Sequence, residues 1–292
     1  MLRPSLVRRL LFVAATSERW EQFVRVLPPG ERLAYRLASR YVAGRRLEDA
    51  LSCADRLAEQ GLVCSIDYFG ESIADPLQAD LVTDRYVELV HSLDRAPNAF
   101  LSIDLSHIGV DEPGDAVRRR LEQIAAELSA GRRLQIGAEE ERRADHILKT
   151  VLAVAGVGGA VSATVQANLK RSRADAHALA EAGVPVRLVK GAYVEDPHLA
   201  WAWGEPTDLA FLELAHELHS HGAEISLATH DPILREGLLR ALPNAGIEML
   251  LGVRREDAAQ LATRGVPVRI YVPFGDQWFR YAMRRWAESQ AR

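Results

Sequence analysis

The sequence has little cysteine, no strong excess of one charge and no long apolar run. Only Cys53 and Cys64 occur among its 292 residues, and they form no Cys-x-x-Cys motif, so a secreted disulfide scaffold is excluded. The formal net charge of −4 argues against nucleic acid as a partner, because nucleic-acid binding requires a basic surface. No segment approaches the about 20 apolar residues that a transmembrane helix needs. We therefore expect a cytoplasmic protein with reduced thiols and no transmembrane segment.

Several short motifs are also missing or incomplete. There is no Gly-x-Gly-x-x-Gly fingerprint, and the glycine-rich segment 156–159 lacks the Lys-Ser/Thr of a phosphate loop. The apolar run 10–15 is too short for a cleaved leader, and charged residues follow it at once, so we expect a helix there. His216, His219 and His221 do not share one helix face, which favours a solvated helix end over a metal site.

What the sequence does contain is a regular alternation of strand and helix patterns. Helical segments separate short β-branched runs, and glycines stand at the helix ends, as is typical of a parallel sheet covered on both faces. About eight such units favour a closed (β/α)8 TIM-like barrel over an open sheet. We predict one domain, 1–292, with N-terminal helices over 1–47, joined at 28–30, and the barrel over 48–292. The predicted strands cover 62–68, 100–105, 133–137, 160–166, 185–190, 224–229, 246–250 and 267–272.

A barrel of this kind places its functional residues where the strands end and in the loops that follow. The ends of six predicted strands are unusually polar, at 67–71, 104–107, 166–168, 190–193, 229–231 and 271–275. Some of these side chains could simply satisfy one another inside the barrel. So many polar strand ends nevertheless indicate an active site at that mouth.

Two of the motifs carry cations. RLVKGAY (187–193) places Arg187 and Lys190 near the end of a buried strand, and Gly191 allows a ligand to approach the backbone. Buried cations need an anion or an electron-rich ring as a partner, although a structural ion pair would also satisfy them. Arg284 and Arg285 lie on the last predicted helix, and paired guanidinium groups suit a carboxylate.

These motifs and their order resemble the proline dehydrogenase family in its short, monofunctional bacterial form. RLVKGAY is similar to the family's fifth-strand motif, ATHD (228–231) to the sixth, and EMLLGVR (248–254) to the seventh. Residues 271–288 resemble the eighth strand and last helix, and DYFGE (67–71) and Gln166 fit the first and fourth strands. The resemblance runs from about residue 47 to the end of the sequence. It implies a barrel that binds FAD across its mouth.

The resemblance also implies residue roles on the cofactor side. Arg187 would lie beside flavin N5 and act in catalysis together with Tyr193, and Gln166 would bond the isoalloxazine edge. The residues implied for the ribityl, phosphate and ribose portions are Lys190, Gly191, Thr229, His230 and Glu288.

On the substrate side, the resemblance implies that Arg284 and Arg285 clamp the carboxylate of a small amino acid. Glu71 would pair with Arg284 as a gate when the site is empty. The residues implied as walls of the pyrrolidine ring are Leu188, Tyr193 and Tyr271. The implied reaction is hydride transfer from L-proline to flavin N5, which gives the cyclic imine 1-pyrroline-5-carboxylate.

The sequence departs from the family pattern mainly on the substrate side. Asp104 stands where the family has a lysine that helps to hold the carboxylate, and Gly137 stands where it has an aspartate. Asn168 and Leu251 replace residues that are usually tyrosines. If Asp104 faces the ligand, like charges about 4 Å apart would repel by about 4 kcal/mol at an effective dielectric constant near 20.

Three interpretations therefore stay open. The first is ordinary proline oxidation, and the second is oxidation of a related amino or imino acid whose additional basic nitrogen is bound by Asp104. The third is a barrel without redox chemistry, either a Schiff-base lyase using Lys190 or a degenerate binding protein. The resemblance further implies membrane quinone as electron acceptor, and hence a peripheral association with the inner membrane surface.

Overall fold

The computed structural model describes residues 28–70 and 72–289. Within these residues, two helices, α1 (Pro28–Ala38) and α2 (Leu47–Ala58), precede the first strand. The strands are β1 (Val63–Tyr68), β2 (Ala99–Ile103), β3 (Leu134–Ile136), β4 (Val161–Gln166), β5 (Val186–Val189), β6 (Ile225–Ala228), β7 (Gly246–Leu250) and β8 (Val268–Phe274). The other helices are α3 (Pro76–Ser92), α4 (Ala116–Ala126), α5 (Glu141–Gly156), α6 (Ser172–Glu181), α7 (Glu205–Ser220), α8 (Pro232–Ala241), α9 (Arg255–Thr263) and α10 (Trp278–Ser289).

The eight strands form a closed parallel barrel in sequence order. Closure occurs at β1, where Ser65 pairs with Phe100 of β2 on one side and with Tyr271 of β8 on the other. Each helix between two strands covers the outside of the barrel, which is the predicted (β/α)8 architecture. The predicted helix ends at Gly61, Gly183, Gly222 and Gly265 are confirmed, because these glycines closely follow helix ends and have positive φ. Gly131 also has positive φ, but the helix before it already ends at Ala126.

The strand residues divide into an outer apolar set and an inner polar set. The outer set packs against the helices in one large core and includes Ile66, Leu101, Ile136, Val165, Leu188, Leu227, Ile247 and Val272. The inner set is unusually polar for a barrel, whose interior is normally filled by Val, Ile and Leu. It includes Asp67, Ser102, Gln135, Thr164, Arg187, Ser226, Glu248 and Arg269.

The N-terminal segment packs on the C-terminal helix. Trp278 and Phe279 of α10 are buried against Ala38 and Val42, and the rings of Tyr35 and Trp278 meet edge to face 5.0 Å apart. The segment that begins with α1 therefore covers one side of the last helix. The helix predicted before Pro28 lies outside the described residues, and the division of the chain at residue 47 stays a prediction. Among the described helices, none is both long enough and apolar enough to cross a bilayer.

Candidate active site

A cavity of about 620 Å³ opens at the carboxyl ends of the strands. This upper cavity has a size typical of a cofactor or ligand site. Its lining residues come from β4 to β7, the loops after β3, β5 and β6, and α10. Those with polar side chains are Thr164, Gln166, Arg187, Lys190, Thr229, His230, Glu248, Trp203 and Arg285. The structure thus brings together seven residues predicted for cofactor or substrate binding: Gln166, Arg187, Lys190, Gly191, Thr229, His230 and Arg285.

Arg187 is held at the floor of the upper cavity by a glutamate, Glu248, that is not among the predicted site residues. Its Nε lies 2.7 Å from Oε2 of Glu248 on β7, whose side chain is only 1% exposed. The guanidinium carbon also lies 6.0 Å from the centre of the Tyr271 ring. Because an ionised carboxylate inside an apolar strand needs a cation, the run Ile-Glu-Met-Leu at 247–250 was a signal for this pair. The pairing fixes where the Arg187 charge lies.

Gln166 links two loops at the rim. Its Nε2 donates to the carbonyl oxygen of Glu139 at 2.8 Å, and its Oε1 accepts from the backbone N–H of Ala192 at 3.2 Å. The side chain is buried, so these two bonds set which way its amide faces. Gln166 is therefore a rigid polar group at the edge of the cavity.

Lys190 lies between two carboxylates. Its Nζ is 2.5 Å from Asp208 on α7 and 3.3 Å from Asp231, which caps the N-terminus of α8. The pKa of Asp231 is lowered despite its partial burial, because Lys190 and the backbone N–H groups of Ile233 and Leu234 stabilise the carboxylate. Both carboxylates orient the ammonium group at the cavity edge.

Thr229 and His230 complete this side of the mouth. The Thr229 hydroxyl accepts a hydrogen bond from the backbone N–H of Asp231 at 3.1 Å. Nε2 of His230 accepts from the backbone N–H of Leu250 at 3.0 Å, which makes Nε2 the unprotonated nitrogen when the ring is neutral. Strands β6 and β7 are thereby joined where they reach the cavity.

Gly191 shows that the loop after β5 runs close to the barrel. Its φ is +130°, and a Cβ placed there would lie 2.1 Å from Oδ1 of Asn168. Any side chain at 191 would meet both backbone strain and a clash. The buried Asn168 Oδ1 accepts no hydrogen bond from a described residue. This buried oxygen, close to Lys190, can accept a hydrogen bond from a ligand or a water molecule.

Beside Arg187, Tyr271 of β8 is bound to a buried carboxylate. The Tyr271 hydroxyl donates to Oδ2 of Asp67 at 2.7 Å. Burial raises the pKa of Asp67 to about 7, although hydrogen bonds from Tyr271 and Ser102 and the charge of Arg187 act in the opposite direction. Burial and the nearby Asp67 and Asp104 also raise the pKa of Tyr271, so the phenol stays protonated. Asp67 therefore positions the Tyr271 ring.

The raised pKa of Asp67 predicts a pH-dependent stability. Because the folded-state pKa is about 7 and the ordinary value is 3.8, the folded state keeps a proton that the unfolded state has released, and stability is lost as pH rises toward 7. We expect the wild-type free energy of unfolding to fall by about 2–3 kcal/mol more than that of Asp67→Asn between pH 5 and pH 8. Urea denaturation of both proteins across this range measures the difference. Parallel pH curves for the two proteins would contradict the assignment.

The two main departures from the family pattern are neighbours in space. Strands β2 and β3 pair Ile103 with Ile136, so Asp104 and Gly137 follow side by side. A Cβ on Gly137 would lie 1.7 Å from Oδ1 of Asp104, which means that the carboxylate occupies the space a side chain would fill. Burial is the main cause of the raised pKa values of Tyr86 and Tyr271, and the charge of Asp104 raises both further. The charge of Asp104 therefore acts on the side chain of Tyr271.

The other residues predicted to bind substrate differ in where the structure places them. Arg285 of α10 lines the upper cavity, and its guanidinium carbon lies 5.4 Å from the centre of the Tyr281 ring. Tyr193 is half-buried in the loop after β5. Arg284 and Glu288 belong to α10, but their side chains, like all of Glu71, lie outside the described residues.

Leu188 does not reach the cavity, and its predicted role as a ring wall is corrected. It is fully buried in the core outside the barrel, paired in register with Val165. The physical reason is strand alternation: Arg187 and Val189 face the cavity, so Leu188 between them faces the helices.

Fold and site together define a (β/α)8-barrel enzyme with a cofactor-sized, cation-lined mouth. A profile of the proline dehydrogenase family matches residues 50–292. The chain belongs to that family, whose members are flavin-dependent oxidoreductases.

Individual relatives agree with this assignment. The chain is 30% identical over 300 residues to the proline dehydrogenase of Deinococcus radiodurans, covering 97% of this chain and 94% of the relative. It is 30% identical over 266 residues to proline dehydrogenase 1 of Bacillus subtilis, covering 87% of each chain. Among solved structures, proline utilization A from Bdellovibrio bacteriovorus superposes with a TM-score of 0.83 at 17% identity, over 97% of this chain. The present chain spans 37% of that protein, so this likeness concerns the barrel fold alone.

Proposed function

We propose that the chain oxidises L-proline to 1-pyrroline-5-carboxylate with FAD bound in the upper cavity. Family membership supports the reaction class. The observation that carries the proposal is the convergence of Arg187, Lys190 and Arg285 on one cavity at the barrel mouth. These cations come from the strand, its loop and the last helix, as a ligand with several anionic or electron-rich parts requires.

The residues present fit FAD. Gln166 offers a fixed amide to a heterocycle edge, and the backbone of Gly191 lines the same cavity. Lys190 and His230 line the same cavity and would hold the pyrophosphate portion. Arg187 would lie against the isoalloxazine ring. The bound flavin supplies the hydride acceptor for the reaction.

The protein's own side chains position the substrate and stabilise the charge that develops during the reaction. Arg187 is fixed by Glu248, so its positive charge needs no reorganisation when negative charge develops beside it. Tyr271, bound by Asp67, presents a rigid ring to the substrate. Arg285 attracts the substrate carboxylate and fixes its orientation. These groups hold the oxidisable carbon in the cavity in a defined orientation.

Spectroscopy tests the cofactor directly. Purified protein is expected to show flavin absorption or to take up added FAD, and L-proline is expected to bleach that absorption without dioxygen. A colourless protein that takes up no FAD would overturn the proposal and favour the non-redox interpretation.

Lys190→Met is expected to raise the Kd for FAD by about 10–100-fold, because a charge-assisted hydrogen bond contributes about 1.5–3 kcal/mol. Lys149→Met removes the same charge from an exposed position on α5 and should leave the Kd unchanged. FAD titration monitored by protein fluorescence measures both. Equal affinities for the two variants would show that Lys190 does not contact the cofactor.

A second substrate class is supported by Asp104. Its carboxylate fills the space over Gly137 near Tyr271, where it would attract an additional basic nitrogen on the substrate. Comparing kcat/KM for proline, hydroxyproline, pipecolate and basic amino acids separates the two classes. Higher kcat/KM for proline than for every basic amino acid would eliminate this alternative.

We also propose a membrane quinone as electron acceptor, reached by peripheral association. Support comes from the exposed Val194, Trp201 and Trp203 in the loop beside the upper cavity, since tryptophan favours membrane interfaces. Proline-reduced protein should then be reoxidised faster by quinone in lipid vesicles than by dioxygen alone. No acceleration by quinone-containing vesicles would contradict it.

A further inference from the structure

A second polar cavity, of about 340 Å³, lies at the amino ends of the strands. This lower cavity exists partly because Gly246 of β7 forms part of its wall and contributes no side chain. A Cβ at Gly246 would make only ordinary van der Waals contacts, with its nearest atoms 3.7 Å away. A barrel interior normally closes this end with branched apolar side chains.

Three arginines line the lower cavity, and they outnumber the nearby carboxylates. Arg133, Arg187 and Arg269 face Glu224 at the rim and the buried Glu248, which leaves one net positive charge. Glu248 already accepts from Ser226 at 2.7 Å and from Nη1 of Arg269 at 3.1 Å. Nε of Arg269 is buried and finds no acceptor among the described residues. The cavity therefore has surplus donors and surplus positive charge.

We propose that the lower cavity binds a small oxyanion, a carboxylate or a phosphate. Guanidinium groups offer such anions paired N–H donors, and the neutral lining residues Gln135, Ser162, Ser226 and Asn244 add polar contacts. The anion would neutralise the surplus charge and satisfy Nε of Arg269. This site is distinct from the upper cavity, although Arg187 lines both.

An anion bound in the lower cavity would also affect Arg187, which lines the upper cavity. Glu248 forms ion pairs with both Arg269 and Arg187. An anion that attracts Arg269 away from Glu248 would leave this carboxylate to pair mainly with Arg187. An effect of the anion on turnover therefore rests on the proposed function. Binding itself does not, and the two are measured separately.

The test uses the full-length protein and inorganic phosphate, acetate and chloride at equal ionic strength. Phosphate or acetate, but not chloride, is expected to raise Tm by about 2–4 °C at a tenfold excess over Kd. A response to phosphate alone or to acetate alone identifies which oxyanion the site takes. Equal Tm values in all three salts would overturn the proposal.

Charge variants at the rim locate the site. Arg133→Gln should raise the Kd at least tenfold, whereas Glu224→Gln should lower it, because the two changes alter the cavity charge in opposite directions. Arg85→Gln, an equal change on the exposed face of α3, should leave the Kd unchanged. Identical responses of the three variants would place binding elsewhere. If Arg133→Gln does not fold, the Kd of Glu224→Gln still tests whether the anion binds in the lower cavity. Crystals soaked in selenate, located by anomalous scattering, give a second test.

Discussion

Replacing Asp104 by asparagine is expected to raise kcat/KM for L-proline at least tenfold, mainly through a lower KM. The carboxylate acts electrostatically on Tyr271, which we propose as a wall of the substrate site, and would repel the substrate carboxylate. Like charges about 4 Å apart repel by about 4 kcal/mol at an effective dielectric constant near 20, and solvent at the half-buried Asp104 reduces this. A tenfold change corresponds to about 1.4 kcal/mol, which is well within that limit.

The control is Asp94→Asn, which removes the same charge from an exposed position that accepts a hydrogen bond from Ser129. It should leave steady-state kinetics unchanged. For a basic amino acid, Asp104→Asn should instead lower kcat/KM, because the attraction to the additional nitrogen is lost. A decrease for proline would show that Asp104 supports, rather than opposes, proline binding.

Replacing Arg187 by methionine is expected to lower kcat by about 10²–10³, the effect typical of removing one preorganised electrostatic group. Methionine keeps much of the side-chain length but removes the charge beside the proposed flavin ring. The reduction potential of the bound flavin should fall as well, since a nearby cation stabilises added negative charge. Stopped-flow reduction by proline and a potentiometric titration measure the two effects.

Arg269→Met is the matched control for Arg187→Met. Both arginines pair with Glu248, so each variant leaves this buried carboxylate with one cation and the losses of stability should be comparable. Of the two, only Arg187 also lines the upper cavity. Equal losses of kcat in the two variants would mean that Arg187 acts through the barrel interior and not on the reacting groups.

Much of the fold could be predicted from the sequence, because local rules set it. Apolar β-branched runs bounded by glycines such as Gly61 and Gly183 specify buried parallel strands and helix ends, and the structure confirms both. The cation-bearing motif at 187–193 likewise predicted a ligand site at the barrel mouth, where Arg187 and Lys190 line the upper cavity.

The side on which a strand residue lies was harder to predict. Leu188 sits in the mostly apolar fifth strand, Val186–Val189, so its apolar character fits either side of the strand. Only the position of Arg187 in the barrel decides which side Leu188 takes. The Arg187–Glu248 pair joins residues 61 positions apart, and the Asp104–Gly137 contact depends on the register of β2 and β3.

By itself, the sequence determined the order of the elements, the polar strand ends and the family pattern with its altered substrate side. Tertiary structure alone decided that the altered positions touch, that a buried glutamate fixes Arg187, and that the barrel interior holds a second charged cavity. The physical reason is that propensity and alternation act over a few neighbouring residues. Pairing of buried charges depends instead on barrel closure, which brings distant strands together in one register.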